Sequence, residues 1–129
     1  MDVRQLKGFC KRLPGAVEVL HEAPANILSY AVGGKYFAWF KTSEPERWRF
    51  SLRVTSERFL ELTDMPGCKP ARFMARHRWV TIVRVEHMPE DYLRELVEWS
   101  YRDAFGRLTK KKQREISESI ATASSLTRD

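Results

Sequence analysis

A chain of 129 residues with 43% hydrophobic and 12% aromatic side chains has the length and apolar content of one packed domain, which excludes a disordered chain. No apolar run approaches a membrane span, and the charged start MDVRQLKGFCKRLPG has no signal-peptide block, so a cytoplasmic protein is expected. The formal net charge is +6, which favours acidic partners over basic ones.

In chain order, Val3, Leu6, Phe9, Cys10 and Leu13 recur at helical spacing, with Asp2 placed to cap the helix and Pro14-Gly15 to end it. Its other face carries Arg4, Lys7, Lys11 and Arg12. In AVEVLHE, Val17, Val19 and His21 alternate with Glu18, Leu20 and Glu22, the pattern of an edge strand. ILSYAV and KYFAWF flank Gly33-Gly34, and a tight hairpin turn needs positive φ at both central positions, so a β-hairpin is predicted there. In WRFSLRV, Trp48, Phe50, Leu52 and Val54 point one way, while Arg49, Ser51 and Arg53 point the other.

TSERFLELTDMPG reads as a short helix capped by Thr55 or Ser56 and stopped by Pro66-Gly67. CKPARFMARHR reads as an irregular basic loop that runs into the strand WVTIVRV. Pro89 suits the first turn of the next helix, and Glu90 and Asp91 suit its dipole. There Leu93, Leu96, Val97, Ser100, Tyr101, Ala104 and Leu108 build a long amphipathic face. The order predicts an α+β fold: a two-layer sandwich whose antiparallel sheet is covered on one face by the N- and C-terminal helices. One domain is expected over residues 1–108, then a basic C-terminal tail over 109–129 that can add a helix, although three lysines in its first turn oppose the helix dipole.

Charge is unevenly spread. Residues 69–85 carry five basic side chains and no acid, whereas residues 86–106 carry two basic against six acidic. Within the basic stretch Lys69, Arg72, Arg76, His77 and Arg78 are interleaved with Phe73 and Trp79. Cations bind phosphate and release counterions, and aromatic rings stack on exposed bases, so these five are candidate nucleic-acid-binding residues. Lys110, Lys111 and Lys112 are candidates to extend the patch. The competing reading places Phe73 and Trp79 in the core and leaves the cations as a solvated rim.

No nucleophile elbow, phosphate loop or dinucleotide fingerprint occurs, so no catalytic residue is assigned and a non-enzymatic protein is expected. His21, His77 and His87 have no metal-ligand spacing, and Cys10 and Cys68 lie apart outside any paired motif, which makes them buried or half-buried thiols. Ser100-Tyr101 falls on the inward helix face and reads as packing, with its hydroxyls on backbone groups.

LPG after a first helix, GGKYFAWF as hairpin and strand, SLRV before a short helix, RHRWVTIV, and a late helix containing Ser100-Tyr101 follow one another in an order that resembles the MmcQ/YjbR family. The likeness covers roughly residues 1–112. It implies a CyaY-like, frataxin-like fold, and family members are commonly described as DNA-binding or of unknown function. His21 departs from the aromatic residue expected at that place. Frataxin-like proteins hold iron through a carboxylate-rich first helix, but here that helix offers four cations against Asp2, so no metal and no cofactor is expected. The resulting expectation is a monomeric, DNA-binding-type module that is chiefly electrostatic and weakly sequence-specific. The alternative is a protein-interaction or small-ligand adaptor using the exposed sheet face, where Lys35, Arg49 and Arg53 would gather.

Overall fold

The computed structural model describes residues 1–126, so the final three residues of the expected 109–129 tail lie outside the described residues. Its elements are α1 (Val3–Arg12), β1 (Ala16–His21), β2 (Ile27–Val32), β3 (Lys35–Lys41), β4 (Phe50–Arg53), α2 (Ser56–Thr63), β5 (Cys68–Pro70), β6 (Trp79–Ile82), α3 (Glu90–Gly106) and α4 (Lys110–Leu126). The strands form one antiparallel sheet in the order β1-β2-β3-β4-β6-β5. The helices α1 and α3 pack on one face, which makes the two-layer α+β sandwich that the period-two and period-3.6 patterns imply.

Local chemistry accounts for most of these boundaries. Asp2 caps α1 reciprocally: its carboxylate accepts from the Gln5 N–H at 2.8 Å, and the Gln5 side chain accepts from the Asp2 N–H at 2.9 Å. Thr55 caps α2 in one direction only, accepting from the Arg58 N–H at 3.2 Å. Gly33 and Gly34 take φ of 57° and 85° in the β2–β3 turn, as a tight hairpin requires. Gly33 has a second reason to be glycine: a Cβ there would meet the Leu108 side chain at 2.6 Å. That contact seats the start of α4, and Ile116 seats the helix further along, because a Cβ on Gly15 would meet it at 2.8 Å. Thr109 offsets the unfavourable lysines by accepting from the Lys112 N–H at 3.1 Å, so the tail becomes a docked helix.

Phe50, Leu52 and Val54 point into the core as the alternation of WRFSLRV requires. Trp48, however, precedes the strand, at a φ of 68° in a turn, where it packs half-buried against Phe40 with the Lys7 ammonium 3.8 Å above its ring. The segment 68–70, read from sequence as the start of a loop, is a sixth strand. Its three residues pair with β6 through Cys68–Ile82, Lys69–Thr81 and Pro70–Val80. Proline is tolerated there because β5 is an edge.

One irregularity decides how α3 docks. The β2–β3 register slips between Tyr30 and Ala31, which leaves Phe37 as an extra residue in β3. The β3–β4 ladder ends beside it, at Ala38–Leu52. Ser100 of α3 fills this gap: its hydroxyl donates to the Phe37 carbonyl at 2.7 Å and accepts from the Arg53 N–H at 3.3 Å. The Tyr101 hydroxyl donates to the Pro14 carbonyl, so both hydroxyls of the Ser-Tyr pair bind backbone. Ser100→Ala should therefore cost about 1–3 kcal/mol, since two strand groups lose a partner where water has little access. Urea unfolding measures this, and an unchanged midpoint would mean that the ladder closes without the hydroxyl.

Candidate functional site

Among the described residues no α-helix packs on the second face of the sheet, and its residues follow from the register. Ile27 and Ser29 of β2, Trp39 and Lys41 of β3, Ser51 of β4, Thr81 of β6 and Lys69 of β5 are cross-strand partners on that side. Ser51 and Thr81 share a buried hydrogen bond of 2.8 Å. Above this small pair, Trp39 and Trp79 reach across β4 and stack with centroids 4.2 Å apart and planes within 15°. Tyr36 meets Trp39 edge-on at 6.5 Å, so the indole is held from two sides.

The basic segment folds back over this face. The Ala71 N–H donates to the Trp79 carbonyl and the Trp79 N–H to the Met74 carbonyl, while Val54 donates to the Arg78 carbonyl. In this arrangement Trp79 is 4% exposed and Phe73 90% exposed. The structure separates them.

Between the folded-back segment and the sheet lies a groove of about 390 Å³. Lys41, Arg49, Lys69 and Arg72 line it, together with Trp39 and Phe73. Glu46 is the acid of its wall and sits 3.7 Å from Arg49. Lys41, tethered by donating to the Ala25 carbonyl at 3.0 Å, Lys69 and Arg72 thus keep their charge available. A larger hollow of about 600 Å³ between α1 and α3 also holds arginines, Arg4, Arg12 and Arg94. There Asp2 and Glu90 share the lining, and Glu90 pairs with both Arg94 and the amino terminus, so the charge is offset in part from within.

Of the residues singled out from sequence, Lys69 and Arg72 enter the groove. Arg76 and His77 are exposed neighbours on the short 3-10 turn Ala75–His77, with Arg76 Nε 3.3 Å from His77 Nε2. Arg78 is half-buried at a φ of 63°, capping that turn, and is not among the residues that line the groove. Lys110, Lys111 and Lys112 begin α4, which is seated at the Gly33 turn. The groove takes in Ile27 and Lys41, the opposite end of the same hairpin, about 20 Å away at strand rise. Lys35, Arg49 and Arg53 do not gather either. Lys35 stands at the turn end of β3, Arg49 at the groove, and Arg53 lies 3.4 Å from Asp103 of α3, which also holds Arg107 at 3.2 Å. Burial lowers the Arg53 pKa, and Asp103 opposes that shift.

Trp39 and Lys41 were not among the sequence candidates, and Phe73 was named only as one of the aromatics between the cations. The parity of Trp39 and Lys41 in KYFAWFK was a usable signal, but the bulge at Phe37 hides which parity faces out. His21, the departure from an expected aromatic, bonds Ser29 through Nε2 at 2.9 Å and sets its ring edge-on to Tyr36, so it packs as a ring on the open face.

Other chemistry is muted. Among the described residues no three His, Cys, Asp or Glu side chains come together as metal ligands, and no helix is long and apolar enough to cross a membrane. Burial, with Glu18 adding to it, drives the Cys10 thiol pKa far up, and burial also raises that of Cys68, so both are held as thiols. Burial and a 2.8 Å bond to Glu18 likewise raise Tyr30.

An antiparallel six-stranded sheet with helices on one face, and Ser100 bridging its bulge, makes an α+β two-layer sandwich. The YjbR family model matches residues 11–103, and the chain belongs to that family. A crystal structure of Deinococcus radiodurans protein DR2400, with a DUF419 domain, is similar at a TM-score of 0.76 and 27% identity, covering 90% of this chain and 88% of that one. A Pseudomonas syringae protein is similar at a TM-score of 0.63 and 15% identity, covering 81% and 99%, a likeness of fold alone. No curated protein matches the chain.

Proposed function

We propose that this protein is a non-enzymatic nucleic-acid-binding module, chiefly electrostatic and weakly sequence-specific, whose binding surface is the groove on the open sheet face. The observation that carries this reading is the convergence of Lys41, Lys69, Arg72 and Arg49 around Trp39 and Phe73 with Glu46 as the acid among them. Phosphate binding by such cations is driven by counterion release, so affinity must fall as salt rises. The expected result is a log–log salt slope of about −2 to −4, close to one unit per phosphate contact, with little dependence on base sequence. Anisotropy titrations of a labelled oligonucleotide at several salt concentrations measure it. A slope near zero would sink the reading.

A second reading is an adaptor for protein partners. Exposed Val17, Val19 and Tyr36 toward the β1 edge favour it. Apolar docking there would be insensitive to salt, which separates the two.

A further inference from the structure

Resting on that reading and naming its ligand class, we propose that the groove takes single-stranded rather than duplex nucleic acid, with Phe73 stacking on an unpaired base while Lys69, Arg72 and Lys41 hold the flanking phosphates. Charge alone does not account for the groove. Phe73 stands among cations with 90% of its surface exposed, at a φ of 67°. Bulky side chains seldom adopt that region, and strain of this kind persists where the surroundings impose it. Here the fold forgoes burial of a phenyl ring and turns it out at the rim of the groove. A site that read only phosphate would have no use for this.

The opposite wall is preorganised. Trp39 is clamped by Trp79 behind it and Tyr36 beside it, so its position costs little ordering on binding. An aromatic platform on a sheet face without an α-helix, flanked by cations, suits bases splayed from a single strand. In a duplex the base faces are already stacked inside. Phe73 would reach one only after unstacking a step, a cost that a single strand does not carry. Lys41, Lys69 and Arg72 attract either form, so the preference comes from the ring.

The test uses the full chain, an end-labelled single strand of about 12 nucleotides, and the duplex of the same length, both at low salt. The single strand should bind about tenfold tighter than the duplex, and Phe73→Ala should remove about tenfold of that affinity while changing duplex affinity little. Phe73→Tyr should restore it. Phe73 is exposed, so thermal melts of both variants should match the parent, which separates a lost contact from a lost fold. Equal affinity for both strands, with Phe73→Ala neutral and the salt slope intact, would overturn the single-strand inference and leave the electrostatic reading standing. Absence of salt-sensitive binding to either strand would overturn both. A 5′-mononucleotide that competes as well as the oligonucleotide would make the occupant a free nucleotide and also overturn the inference.

Discussion

Trp79→Ala is expected to lower the stability of the domain by about 3–5 kcal/mol and its melting temperature by about 10 °C or more. Trp79 lies outside the main core, on the sheet face where no α-helix packs among the described residues, yet it is 4% exposed. What covers it is the basic segment itself, pinned by backbone bonds at Ala71, Met74 and Arg78. Truncation would open a cavity between that segment and β4–β6, and Trp39 would lose the ring stacked on it at 4.2 Å. The groove wall should then loosen, so binding weakens along with stability. Trp79→Phe keeps part of the stack and should lose less than half as much. Urea unfolding by circular dichroism gives both values. If Trp79→Ala stays within about 1 kcal/mol of the parent, the segment is not packed on the sheet as described.

Lys69→Glu combined with Arg72→Glu is expected to abolish salt-sensitive nucleic-acid binding and leave the melt nearly unchanged. Both side chains are exposed and neither has an acidic partner among the described ion pairs, so the fold draws little from them. Reversal removes two phosphate contacts and sets two carboxylates in their place, so the loss exceeds the slope of about one unit per contact. The matched control is Lys110→Glu with Lys111→Glu. It changes net charge by the same amount at the far end of the β2–β3 hairpin and should shift affinity only slightly. If the control costs as much as the groove pair, binding is a diffuse property of a chain of net charge +6, and the groove is no site.

The parts of the fold legible in the sequence are those fixed by neighbours along the chain. Gly33-Gly34 demanded a hairpin because few other pairs tolerate two positive φ values, and 57° and 85° are what they adopt. Leu93 to Ala104 wrote out a helix face because period 3.6 is a local property, whereas Leu108, expected on the same face, lies past the end of α3 at Gly106. The strand β5 was hidden because three residues ending in proline carry no periodicity, and only β6 beside them makes them a strand. Helix α4 was undervalued for a related reason. Its lysines argue against it locally, while the contacts that seat it, Leu108 at Gly33 and Ile116 at Gly15, are distant in sequence.

The candidate site divides along the same line. By itself the sequence determined the family, the α+β layering and a cationic stretch at 69–78 with aromatic residues among its cations, since composition, turn chemistry and motif order survive without coordinates. Only the tertiary structure decided which cations act together. A bulge at Phe37 reset the parity of β3, antiparallel register brought Lys41 and Lys69 to one face, and the folded-back segment turned Phe73 out while burying Trp79. Each depends on pairing between residues far apart in the chain, and a one-residue slip in such pairing moves every side chain to the other face.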